Sequence, residues 1–191
     1  MRCNSLILAN LICLSLHSSE VGTLITHNLE NLSQQDSPRY KEKCPFCNPE
    51  KCKMTKYKES ENCYAIKDIN PVSPGHVLII PKQHYKHWFK TPPNILLEMI
   101  NLMNEVKVAI DEEYIDTQSD LHQNVAKYRY EDFDAQQPAG YTIGANCETA
   151  GGQSVMHTHL HFIPRIEGDT ADPQGGVRGC IPERQHLSGK K

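Results

Sequence analysis

Three histidines stand at every second position in HTHLHF, residues 157–162. In an extended chain, alternate side chains leave opposite faces. His157, His159 and His161 would then share one side, while Thr158, Leu160 and Phe162 form a mostly apolar side that can pack inward. Pro164, just beyond, suits the end of a strand better than its centre. A neutral imidazole near pH 7 is both a nucleophile and a proton acceptor. Upstream, GGQS at 151–154 supplies backbone amides, the Gln153 carboxamide and the Ser154 hydroxyl. A pentacoordinate phosphoryl group needs such donors around its equatorial oxygens. A lone histidine is more often structural; three on one face behind this turn point to chemistry on phosphorus.

The row does not suit a single metal ion. Two residues of strand advance about 6.6 Å, so the outer Cα atoms lie about 13 Å apart, against a zinc–nitrogen bond of about 2.0–2.1 Å. A division of labour is expected, with one end joining a metal site and the others facing a ligand. CPFC, with Cys44 and Cys47, offers two thiolates for such a site, and a closed tetrahedral site needs two further ligands. Spacing leaves His76, His84, His87 and His157 open as candidates, and it leaves open that the two cysteines are simply buried thiols.

The elements that must position these groups are partly legible. Residues 63–69 (CYAIKDI) alternate like a strand, 70–75 (NPVSPG) form a turn cluster, and 76–81 (HVLIIP) read as a short buried strand. Residues 91–114 open with Thr91 as N-cap and Pro92 in the first turn. An apolar stripe follows at Leu96, Met99, Ile100, Met103, Val106 and Ile110, which predicts an amphipathic helix with core-filling methionines. Residues 115–139 read as a polar surface loop or short helix, and KYRY within them as solvated loop. Residues 140–146 return to a strand, and 147–154 turn into the histidine segment. The sum is a mixed α+β domain spanning 44–166, preceded by a leader or linker over 1–43 and followed by an irregular tail over 167–191.

Composition excludes several classes. The 191 residues carry a formal charge of −3 with no long basic run, which argues against a nucleic-acid-coating protein. Eight scattered cysteines do not form a dense disulfide framework, and with CPFC they suggest a reducing, cytoplasmic setting. The apolar stretch from Leu6 to Leu16 has the size of a signal-peptide core but is interrupted by Asn10 and is too short to span a bilayer. No G-x-x-x-x-G-K-[ST] phosphate loop occurs.

HTHLHFIP resembles the signature of the histidine triad (HIT) family, His-φ-His-φ-His-φ-φ with φ apolar, Thr158 being the one departure. GGQSVMHTHLHFIPR extends the likeness upstream, DINPVSPGHVLIIPKQH (68–84) resembles the family's N-terminal half, and CPFC its zinc-binding members. The resemblance implies a five-stranded antiparallel sheet with a principal helix, paired as a homodimer. It further implies a nucleotidyl hydrolase acting on purine nucleoside phosphoramidates or dinucleoside polyphosphates. By position, His159 would attack the α-phosphate to give a nucleotidyl-histidine, and His161 would assist at the phosphate. Gln153 and Ser154 would contact phosphates and leaving group, and Asn146 would line the site. Asp68 would hold the ribose hydroxyls, with Ile69 and Ile80 near the base. A structural zinc would take Cys44, Cys47, His84 and His157. Arg178, in a tail resembling a bacterial-type subgroup, would reach a phosphate. The alternative is a nucleotide-binding or signalling module whose catalysis is incidental; neither reading involves nucleic acid or a membrane.

Overall fold

The computed structural model describes residues 42–52, 54, 56–116, 120–121 and 138–185. Most of the expected leader, most of the 115–139 insert with its KYRY, and the last residues of the tail lie outside these. The described residues form strands β1 (Lys56–Glu59), β2 (Cys63–Lys67) and β3 (Val77–Pro81), helix α1 (Pro93–Ile115), then β4 (Gly140–Gly144) and β5 (Leu160–Arg165). The strands make one antiparallel sheet in the order β1-β2-β3-β5-β4. This is the α+β architecture the sequence predicts.

The unbroken apolar run of β3 is buried along its whole length because both faces of the sheet are covered there. On one face Ala65, Val77, Ile79, Leu160 and Phe162 pack against Met99, Leu102, Val106 and Ile110 of α1. On the other, Tyr64, Ile66, Leu78 and Ile80 pack under Cys44 and Phe46 of the CPFC segment. Each such fully buried aliphatic side chain contributes roughly 1.5–3 kcal/mol relative to exposure. The Tyr64 hydroxyl donates to the Phe46 carbonyl at 2.5 Å, fastening CPFC to that face.

Four expectations are corrected. β1 carries no apolar alternation (KYKE) and was not foreseen; its pairing with β2 is tertiary. The helix starts later than expected, with Pro92 as N-cap and Pro93 in the first turn. The Thr91 hydroxyl instead bonds the Thr158 hydroxyl at 2.8 Å, tying the helix approach to the histidine segment. The buried stripe is Ile95, Met99, Leu102, Val106, Ile110 and Tyr114, while Ile100 faces outward. Arg178, expected to reach a phosphate, instead donates its guanidinium to the carbonyls of Gln185 and Arg184 at 3.1 and 3.0 Å, closing the tail on itself.

The turn before β3 needs its glycine. Gly75 has φ +77°, and a Cβ there would lie 3.2 Å from Pro164 and 3.3 Å from Ile110. The Ser73 hydroxyl donates to the Pro164 carbonyl at 2.6 Å, so this turn is sutured to the end of β5. No helix among the described residues is long and apolar enough to cross a membrane.

Candidate active site and metal cluster

The alternation read from HTHLHF survives, but the flat row does not. Only His161 lies in β5, and the β3–β5 ladder stops at Ile79↔Leu160. Before that point the chain leaves β3: the Thr158 N–H donates to the Tyr85 carbonyl at 2.7 Å instead. This departure lets the three imidazoles diverge, as their spacing along a straight strand would not.

His157 turns toward the CPFC segment. Its Nδ1 lies 3.4 Å from Cys44 Sγ and 3.6 Å from Cys47 Sγ, and His84 Nδ1 lies 3.2 Å from Cys47 Sγ. The four donor atoms fall within 4.8 Å of one another. Tetrahedral zinc with ordinary bond lengths separates sulfur from nitrogen by about 3.6 Å, so the four residues fit such an ion with small adjustment. The His157 Nε2–H donates to the Pro81 carbonyl at 2.9 Å, which fixes the tautomer that offers Nδ1 to a metal. Burial, and secondarily the neighbouring His84, push the His157 pKa down to about 3, keeping the ring neutral as a ligand must be. His76 and His87, which spacing left open as metal candidates, sit elsewhere.

His159 is 4% exposed, with its ring centroid 5.3 Å from Phe46 and 5.1 Å from His161. The Nδ1 approaches the His157 carbonyl at 2.7 Å. A carbonyl can only accept, so Nδ1 carries the hydrogen and Nε2 keeps a bare lone pair. Burial holds the His159 pKa below the ordinary value, against smaller opposing effects of that bond and of Asp68, so the ring is neutral at pH 7.

His161 is organised differently. Along the sheet, Asp68, His76 and His161 belong to neighbouring strand ends on one face, because Lys67 pairs with Val77 and Leu78 with His161. The Val72 N–H donates to His76 Nδ1 at 3.3 Å, so His76 Nε2 bears the hydrogen and donates to His161 Nδ1 at 3.0 Å. His161 Nε2 must then carry a hydrogen of its own. The two rings therefore present opposite characters, a lone pair on His159 and an N–H on His161. Burial, with His159 and His76 nearby, lowers the His161 pKa to about 4. Burial also lowers that of His76, which makes its 3.5 Å approach to Asp68 Oδ2 a polar contact rather than an ion pair. Asp68, His76 and His161 also bring donor atoms within 4.8 Å. However, 3.0 Å between ring nitrogens is a hydrogen-bond length, shorter than the roughly 3.3 Å of two imidazoles sharing one zinc.

The loop behind the histidines is built around Gln153. Its Oε1 accepts from the Glu148 N–H at 2.8 Å, and its Nε2 donates to the carbonyls of Lys86 and Val155 at 2.7 and 2.9 Å. Gln153 is thus the frame of the loop, with its carboxamide engaged by the chain itself. Ser154 and Asn146 are exposed, and the Asn146 carboxamide lies 3.9 Å from where a Cβ on Gly152 would stand. Ile69 is exposed beside Asp68, while Ile80 is wholly buried and can only back the site from beneath. The sequence reading missed the role of one participant and the presence of another. His76 was open only as a metal-ligand candidate, whereas it partners His161, and Glu148 gave no signal at all. Glu148 is the one non-glycine residue with positive φ among the described residues. Its φ of 62° and ψ of 171° fall where glycine is almost alone, at a cost of about 1–3 kcal/mol.

Comparison with known proteins bears on this geometry. The sequence profile described as HIT domain matches residues 51–168, leaving Cys44 and Cys47 just upstream. The chain is 33% identical over 128 residues to adenylylsulfatase HINT3 of Arabidopsis thaliana, covering 66% of this chain and 54% of that protein, about half its length. An uncharacterised HIT-like protein of Methanocaldococcus jannaschii is 34% identical over 111 residues, 58% of this chain and 68% of its own. The crystal structure of a hypothetical histidine triad nucleotide-binding protein from Sulfolobus tokodaii matches with a TM-score of 0.50 at 28% identity, covering 68% of this chain and 73% of that one. The profile runs through both halves of the site, from the β2–β3 hairpin to the end of β5, and by that extent the chain belongs to the histidine triad (HIT) domain family.

Proposed function

We propose that the protein is a nucleotidyl hydrolase that cleaves the bond between the α-phosphorus of a purine nucleotide and its leaving group. The observation that carries this reading is the tautomer of His159, whose Nδ1–H on the His157 carbonyl leaves Nε2 as a neutral, bare nucleophile. His159 Nε2 attacks the α-phosphorus and the leaving group departs with its bonding pair, giving a nucleotidyl-histidine. Water then breaks the P–N bond and restores the free ring. His161 Nε2–H donates to a non-bridging phosphate oxygen, and the exposed Ser154 supplies a further donor as charge develops, the amides of Gly151, Gly152 and Gln153 being bonded within the loop. Asp68 and Ile69, at the open end of β2, suit the ribose and base.

Phosphoramidates and dinucleoside polyphosphates are the expected substrates. Adenylyl sulfate joins them because the Arabidopsis relative is named for it; all three present an α-phosphate with an acidic or protonatable leaving group. A structural zinc on Cys44, Cys47, His84 and His157 would cross-link the CPFC segment to the residue two before the nucleophile, with four protein ligands and no open position. The thiolates of that site suit a reducing compartment such as the cytoplasm.

The test is His159→Ala, assayed on adenosine phosphoramidate, diadenosine polyphosphates and adenylyl sulfate. Loss of turnover by about 10³-fold or more is expected for removal of a nucleophile; unchanged turnover of every substrate the wild type accepts removes the mechanism. One observation favours the second reading, a binding module: the Gln153 carboxamide is fully engaged and offers nothing to a leaving group. Tight nucleotide binding with negligible wild-type turnover would support that module.

A further inference from the structure

Glu148 does something that the chemistry above does not by itself require. Its side chain is about half exposed and fills no part of the core. Its backbone, at φ 62° and ψ 171°, is one that glycine would adopt without strain. Tolerating a carboxylate-bearing residue there implies that the carboxylate contributes what glycine cannot.

The carboxylate spans from the loop to the segment that follows β3. Lys86 Nζ lies 2.9 Å from it and His87 Nε2 3.2 Å. His87 Nδ1 is buried with no hydrogen-bond partner among the described residues. The ring hydrogen therefore sits on Nε2 and donates to Glu148, and Lys86 supplies the charge. The same segment holds the rest of the site: the Lys86 carbonyl takes the Gln153 carboxamide at 2.7 Å, and the Tyr85 carbonyl takes the Thr158 N–H at 2.7 Å, one residue before His159. The backbone of Glu148 closes the circuit, donating to Gln153 Oε1 at 2.8 Å and accepting from the Gln153 N–H at 3.1 Å.

We infer that Glu148 is a positioning residue whose carboxylate anchors loop 148–154 to segment 86–87, setting where the loop and its exposed Ser154 stand relative to His159 and a bound phosphate. Its kinetic consequence rests on the hydrolase reading above; its structural consequence does not.

The test uses the full-length, zinc-loaded chain with Glu148→Gly, Glu148→Gln and Lys86→Met. In Glu148→Gly, which removes both strain and anchor, the melting temperature is expected to hold or rise. At the same time kcat falls about tenfold or more with KM within about twofold, and amide hydrogen exchange across residues 149–154 quickens about tenfold. Glu148→Gln, which keeps an acceptor for Lys86 and His87, recovers most of kcat and protection, while Lys86→Met loses part of both. Wild-type exchange and kcat in Glu148→Gly overturn the inference. So does a lower melting temperature with no change confined to this loop, because that pattern marks a merely structural residue. If the wild type turns over none of the nucleotides, the hydrolase reading falls, and the exchange rates alone still decide whether the anchor exists.

Discussion

At the scale of the residue, protonation states carry the site. Every histidine of the triad is held neutral chiefly by burial, which removes water from the charged form more than from the neutral one. For His159 as the proposed nucleophile the sign is simple: only a neutral ring could attack phosphorus, and a pKa below the ordinary value of about 6.5 keeps it neutral further into acid. The acid limb of kcat/KM should therefore be centred below pH 6.5. A pH–rate profile for adenosine phosphoramidate, corrected for substrate ionisation, reads this directly. A limb centred at 6.5 or above would show that burial does not govern the nucleophile.

At the scale of the element, the hairpin β2–β3 and the end of β5 work as one unit. The register of these strands gathers Asp68, His76 and His161, and the turn before β3 is pinned to Pro164 by Ser73. Gly75→Ala places a Cβ in left-handed backbone and against Pro164 and Ile110. It should lower unfolding stability by about 1–3 kcal/mol in urea titration. Because that turn also supplies the Val72 N–H that sets the His76 tautomer, turnover of the folded variant should fall with it. The element-level reading of the sequence failed where local pattern carried no information. β1 is a polar KYKE segment recruited by β2, and the N-terminal turn of α1 is displaced because Thr91 bonds Thr158 rather than capping the helix.

At the scale of the whole molecule, two proposals follow from how distant segments meet. Cys44 and Cys47 meet His157 across more than a hundred residues of chain, and Cys47 meets His84 across 37. About one zinc per chain is expected by elemental analysis of protein purified without chelator, and its removal should lower the melting temperature without abolishing the sheet. Zinc-free protein that melts like the wild type would remove the metal from the structure. The homodimer is the second. β4 is an edge of the sheet, its Ile143 is exposed, and Leu97 and Val108 of α1 are more than half exposed. An unpaired edge strand and exposed apolar side chains are each what a protein otherwise guards against. Sedimentation should give twice the chain mass, and Ile143→Lys should shift it toward the monomer; a wild-type monomer would refute the pairing.

The sequence alone determined the periodicities and the chemistry-bearing types. The alternation of HTHLHF, the doubly buried run of β3, the helical stripe, the cysteine pair and the family likeness are all local patterns, because side-chain direction repeats at fixed intervals along strand and helix. Tertiary structure decided everything that depends on which segments meet. It brought to the cysteines His84 and His157, which spacing had left open and only the family likeness had named, and placed His76 against His161. It also engaged Gln153 with the chain itself and put Glu148 across to Lys86. Those choices turn on hydrogen-bond partners remote in sequence, and a tautomer or an anchor exists only once its partner is within about 3 Å.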